Sequence, residues 1–266
     1  MPSLLSNEAL LTQWPHDDAL LHETRKRTGD TILLGFSRGK DSIAAWIKLR
    51  DSGLFKRIIP VFMYLIPDLK FEEESLQYFE DCFHTHIYRV PHTALYNMLA
   101  NNIWQPPGHL WRNADYMERL TCTVPELNKY IKESLGLSAG TLMANGVRAM
   151  DTPLRRMGIH RHGPFGADNV KIIWNYSTKD VMNSLERNNI ELPIDYQLFG
   201  RSFDGINIQY LYPIYRHFPE DYRKICKWFP LAELEIMRFT TLEDKSDDWI
   251  LKNGRYVANY EKFKNN

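Results

Sequence analysis

Thr31-Ile32-Leu33-Leu34-Gly35-Phe36-Ser37-Arg38-Gly39-Lys40-Asp41-Ser42 is the stretch from which the rest of this chain can be read. Its first six residues form a short, continuous apolar run, which suits a strand buried on both faces of a parallel sheet better than a half-exposed one. The next six gather small residues, two cations and an acid into a single turn. Ile43, Ala44, Ala45, Ile47 and Leu49 then carry a helical pattern that stops near Asp51-Ser52-Gly53, where glycine is a natural terminator. Strand, polar turn and helix therefore follow one another without a linker.

Outward from that unit the cycle repeats. Ile58 to Leu65 reads as a second buried strand, 71 to 83 as a helix and 86 to 90 as a third strand. A helix near 125 to 135, strands at Thr141 to Asn145 and Val170 to Trp174, and a helix opening at Ser177 or Thr178 continue the alternation. The pattern predicts an α/β fold, a doubly wound and mostly parallel sheet with helices on both faces. Residues 8 to 27 place Leu10, Leu11, Trp14, Leu20 and Leu21 on one apolar side, with a basic end at Arg25, Lys26 and Arg27, as an amphipathic helix capping the core. Asn101 to Tyr116, rich in Trp, Pro, Gly and Asn, reads as a long loop or lid. From 196 onward the alternation fades. The expected division is a nucleotide-binding domain over 1–195 and a carboxy-terminal extension over 196–266 packed on the same domain.

Composition narrows the function classes. Lysine plus arginine equals aspartate plus glutamate at 33 each in 266 residues, so no global field draws the protein to a polyanion, and any anion site is local. The three cysteines, Cys82, Cys122 and Cys226, lie far apart and are too few for a cluster held by four thiolates within one chain. No stretch approaches the roughly 18 apolar residues of a membrane span, and no basic-then-apolar leader opens the chain. These features predict a soluble, cytoplasmic protein.

In an open parallel sheet, ligands bind beyond the carboxyl ends of the strands, where a turn can aim backbone N–H groups and a helix amino terminus at one anion. Residues 37 to 42 stand in that place. Ser37, Gly39 and Ser42 are small enough to let the backbone approach phosphates, Arg38 and Lys40 supply charge-assisted donors, and Asp41 is placed to cap the following helix or help hold a magnesium ion. The commoner phosphate loop G-x-x-x-x-G-K-S/T does not fit, because Lys40 is followed by Asp41. The motif S-G/R-G-K-D-S after a first buried strand resembles the PP-loop of the nucleotide α-hydrolase superfamily, whose members act on or bind nucleotides at the α-phosphate.

A second constellation follows the strand ending at Asn145. Gly146, Arg148, Asp151, Thr152 and Arg155 fit the spacing G-x-R-x-x-D/E-S/T-x-x-R, which is similar to the second motif of the phosphoadenylyl-sulfate (PAPS) reductase branch of that superfamily. Arg148, Arg155, Arg156 and Arg161 meet only one acid, Asp151, over this stretch, and arginine forks bind phosphate or sulfate in bidentate fashion. A third segment, Ile173 to Val181 with Leu192-Pro193 and Tyr196, resembles the family's later strand and capped helix and reads as scaffold.

The departures limit what the resemblance implies. The tail from Tyr256 to Asn266 has no cysteine, Gly205 is not followed by a C-x-x-C pair, and the acid of the family's strand-two motif falls on Ile66. The resemblance therefore implies a Rossmann-like PP-loop enzyme that binds ATP, with magnesium, and acts at the α-phosphate, releasing pyrophosphate and adenylylating an acceptor. Lys40, Arg148 and Arg155 are its expected catalytic groups. A PAPS or adenylyl-sulfate reductase or sulfotransfer enzyme is one alternative. A non-catalytic nucleotide-binding subunit of a nucleic-acid-modification complex is another, with a protein partner or homodimer and with nucleic acid only as acceptor. His160 and His162, and Trp104, His109, Trp111 and Arg112, are weaker candidates for a metal and for stacking on a base.

Overall fold

The computed structural model describes residues 17–106, 109 and 122–242. The start of the amino-terminal helix, Trp111, Arg112 and the tail from Tyr256 fall outside the described residues. Five strands, β1 (Thr31–Gly35), β2 (Arg57–Tyr64), β3 (Tyr88–Pro91), β4 (Met143–Asn145) and β5 (Asn169–Lys171), lie in the order β3-β2-β1-β4-β5. The pairs of β1 with β2, β1 with β4 and β4 with β5 are parallel, with Leu33 opposite both Ile59 and Met143. This is a Rossmann-like doubly wound sheet. The chain winds one way from β1 through β2 to β3 and the other way through β4 to β5, so the turns after β1 and β4 flank the point where the direction changes.

The apolar run of β1 has the burial that a strand covered on both faces requires, since Ile32, Leu33 and Leu34 are wholly inaccessible. The sheet unit carries α1 (Asp17–Thr28), α2 (Lys40–Asp51), most of α5 (Val124–Ser134), α6 (Pro153–His162) and α7 (Thr178–Arg187), while α3 (Lys70–Phe83) lies mostly in a second unit. In α2 every residue from Ser42 to Leu49 is buried, so the helix is enclosed rather than laid on a surface. Lys48 is held inside by donating to the Ile172 carbonyl at 2.7 Å.

Two compact units divide the described chain. The sheet unit comprises residues up to Phe62, Cys82–Arg89 and Asn128–Glu191. The second is built from Met63–Asp81, from 90 to 127 and from Leu192 onward. It carries α4 (Thr93–Ala100), α8 (Ile194–Phe199), α9 (Ile208–His217), α10 (Pro219–Trp228), α11 (Ala232–Met237) and a π-helical turn (Arg238–Leu242). The segment expected as a carboxy-terminal extension thus carries a series of short helices as far as Leu242. It shares its core, among Phe71, Leu95, Leu99, Phe199, Tyr210 and Phe229, with chain that precedes it by a hundred residues or more. A boundary drawn along the sequence does not describe a core assembled from three separate segments. Among the described residues no helix is long and apolar enough to cross a membrane.

Candidate functional site

The turn after β1 is closed from within. Phe36 donates its amide to Val61 and is buried, whereas Ser37 is exposed. The Ser42 hydroxyl donates to the Gly39 carbonyl at 2.8 Å and accepts the Ser37 amide at 3.2 Å, drawing the ends of the turn together. Helix α2 then opens at Gly39 with no side-chain cap. Its first-turn N–H groups have no acceptor within the helix and carry the positive end of its dipole. Lys40 stands beside them, its side chain 26% exposed.

Two expected roles change here. Arg38, expected at the surface of the turn, is fully buried, with φ of 61°, and its guanidinium carbon lies 5.2 Å from the centre of the Phe62 ring. Asp41 is not the cap. It sits in the first turn of α2, one carboxylate oxygen 2.9 Å from Lys40 Nζ and the other 2.8 Å from Arg148 Nε.

The turn after β4 abuts that structure backbone to backbone. A Cβ added at Gly146 would lie 2.7 Å from the carbonyl carbon and oxygen of Asp41 and 2.9 Å from the amide nitrogen of Ser42, so only glycine permits the approach. Arg148 follows, 3% exposed. Its Nη2 lies 2.6 Å from Asp151 Oδ1, and its Nη1 reaches the Tyr176 carbonyl at 3.4 Å and the Thr178 hydroxyl at 3.5 Å. Its Nε, although close to Asp41, is not aligned for a hydrogen bond. Asp151 also receives exposed Arg155 at 2.6 Å, and Thr152 caps α6 by accepting the Arg155 amide at 3.2 Å. Lys40, Asp41, Arg148, Asp151 and Arg155 thus form one continuous chain of charges, three cations against two carboxylates.

The turn after β5 joins the other two. The Trp174 carbonyl accepts from Ala149 at 2.8 Å, and a reciprocal capping box of Ser177 and Asp180 starts α7. Hydrogen bonds from the Ser177 hydroxyl and amide hold the Asp180 carboxyl below the usual carboxylate range. Tyr176 and Thr178, read from sequence as scaffold, thereby become partners of Arg148. No motif announces this, because the contact depends on how β5 returns to the rim.

Other candidates resolve differently. Magnesium does not fit the donors at this rim, since each oxygen of Asp41 faces a cation and Asp151 is shared by two arginines. His160 and His162 stand in the last turn of α6 and not on a strand or in a loop, and positions two apart on a helix face different ways. Among the described residues no group of three or more histidines, cysteines or acids could hold a metal. Cys122 is buried, and burial raises the thiol of Cys226. Trp104 packs on the core of the helical unit, its carbonyl accepting from Leu231 at 2.8 Å.

The doubly wound parallel sheet and the turn after its first strand are those that the resemblance to the PP-loop superfamily implies. No family model matches the chain, and no curated protein does. Among solved structures the chain is similar to the U34-tRNA thiolase NcsA from Methanococcus maripaludis, at 10% identity and TM-score 0.44 over 85% of this chain and 80% of that one. It is similar to phosphoadenylyl-sulfate (PAPS) reductase from Candida auris in its phosphate complex, at 12% identity and TM-score 0.41 over 73% and 92%. A third likeness is to NH3-dependent NAD synthetase from Campylobacter jejuni subsp. jejuni NCTC 11168, at 14% identity and TM-score 0.40 over 89% and 96%. Likeness at this level decides neither substrate nor reaction.

Proposed function

We propose that the chain is an enzyme that binds ATP or a related adenine nucleotide by its phosphates and acts at the α-phosphate. An acceptor attacks the α-phosphorus, the bond to the bridging oxygen breaks, and pyrophosphate departs while the adenylyl group stays on the acceptor. The uncapped opening of α2, with exposed Ser37 and half-buried Lys40 on one side and exposed Arg155 on the other, is the observation that carries this reading. Preorganised N–H donors and two cations meet the charge that gathers on the phosphate oxygens and on the leaving pyrophosphate, and such donors lower the barrier without reorganising. Asp41 and Asp151 occupy those cations until a phosphate oxygen replaces them.

The test is direct binding of ATP to the purified full chain, followed by release of pyrophosphate with candidate acceptors present. Binding that is competed by pyrophosphate is expected, since the turn grips the phosphates. A protein that binds neither ATP nor pyrophosphate, or that binds ATP equally well after Lys40→Ala and Arg155→Ala together, would overturn the reading.

A further inference from the structure

We propose that Arg148 is a positioning residue: it clamps the three turns at the sheet rim into one anion-facing surface and acts through Lys40 and Arg155 without touching the nucleotide. The consequence for nucleotide binding rests on the function proposed above; the clamp itself does not.

The geometry gives each nitrogen of this guanidinium a different neighbour. Nε lies at Asp41 in the turn after β1, Nη2 at Asp151 in the turn after β4, and Nη1 at Tyr176 and Thr178 in the turn after β5. Those positions span 137 residues of sequence from Asp41 to Thr178, and one side chain draws them together. Guanidinium suits the task because its donors form a fixed planar fork, whereas the ammonium of a lysine is a single point charge on a flexible stem.

Burial separates this role from that of a direct ligand. The Arg148 side chain is 4% exposed, against 26% for Lys40 and 50% for Arg155. A phosphate oxygen reaching Arg148 would have to displace a carboxylate from a buried cation, leaving that carboxylate half-buried without its partner, and breaking a buried pair in this way is strongly unfavourable. Lys40 and Arg155 keep more of their side chains exposed, so an oxygen can meet them while the carboxylates remain on Arg148. The clamp also sets the charge of the rim. Asp41 and Asp151 each divide their oxygens between Arg148 and an outer cation; without Arg148 both carboxylates are free to turn wholly onto Lys40 and Arg155, neutralising the groups that meet phosphate.

The experiment compares the full-length wild type with Arg148→Lys and Lys40→Ala, measuring amide hydrogen exchange without nucleotide and then ATP affinity by calorimetry. In Arg148→Lys, exchange over 37–42, 146–152 and 174–180 is expected to rise together, by about tenfold, with the central strands unchanged. ATP affinity falls by a similar factor. In Lys40→Ala, affinity falls while exchange in the free protein stays at the wild-type rate. If Arg148→Lys does not fold, Asp41→Asn replaces it, with increased exchange expected at 174–180, the turn to which Arg148 links the Asp41 carboxylate. Wild-type exchange in Arg148→Lys together with weakened ATP binding would make Arg148 a direct ligand and overturn the proposal, as would a rise spread evenly through the sheet. Failure of the wild type to bind ATP would remove the nucleotide reading alone, because the exchange comparison still decides the clamp.

Discussion

Asp221 in the helical unit, 1% exposed, accepts the amides of Lys70 at 2.7 Å and Phe71 at 3.1 Å, and fully buried Asp195 accepts the Phe203 amide at 2.9 Å. Asp221 also meets Lys224 at 3.2 Å, whereas at the sheet rim every oxygen of Asp41 and Asp151 faces a cation, Lys40, Arg148 or Arg155. The same residue type therefore serves two ends. A carboxylate on buried backbone N–H groups cannot leave without orphaning them, and an orphaned buried donor costs roughly 1–3 kcal/mol. A carboxylate on cations whose far side is open to water can share them with an arriving anion. Asp221 holds the start of α3, and at the rim two carboxylates are distributed among three cations.

Substitutions can break this contrast or sharpen it. Asp221→Ala has the largest expected effect, a loss of about 3 kcal/mol of stability by urea denaturation as two amides lose a charged acceptor, with ATP affinity unchanged. A parallel fall in affinity would show that the two kinds of aspartate are not separable. Gly146→Ala follows, with about 2 kcal/mol of overpacking where the new methyl meets the Asp41 backbone, and here ATP binding falls along with stability. Lys40→Ala and Arg155→Ala are each expected to weaken ATP binding about tenfold, or about 1.4 kcal/mol, with stability changed by less than about 0.5 kcal/mol. Calorimetry at two salt concentrations checks them, since exposed cations are screened and their contribution shrinks as salt rises.

The smallest expected effect is a pH dependence in the helical unit. His92 caps α4 by accepting the Ala94 amide on Nδ1 at 2.9 Å, and burial lowers its pKa below the ordinary 6.5. The fold therefore favours the neutral ring, and the unfolded chain takes up the proton first. The stability contributed by His92 is complete above pH 6.5 and is lost as pH falls through that value toward the folded one. His92→Asn retains a cap acceptor and should flatten this part of the profile in thermal melts across that range; an unchanged slope would exclude His92 as its source.

Much of the sheet unit was legible residue by residue. The strand expected at Ile58 to Leu65 is Arg57–Tyr64, the helix expected near 125 to 135 is Val124–Ser134, and Ser177 is the cap of α7. These succeed because a run covered on both faces, a helical period and a hydroxyl cap are local properties of the chain. The burial of Arg38 was not legible: beside Lys40 in a polar turn it reads as an exposed donor, and the contact with Phe62 depends on β2 lying alongside. The helical unit was not legible either. Most of its elements after Leu192 are short, Pro213 lies inside α9, and the apolar residues meet partners from distant segments.

Sequence alone determined the order of strands and helices, the polar turn after the first strand and the arginine-rich turn after the fourth, because spacing and side-chain chemistry act over a few neighbouring residues. Tertiary structure decided which cations remain open to solvent, which is buried as a clamp, and that Gly146 must be bare for two turns to meet. Those outcomes depend on distances between residues a hundred or more positions apart, and burial and charge pairing exist only once the strands have closed those distances.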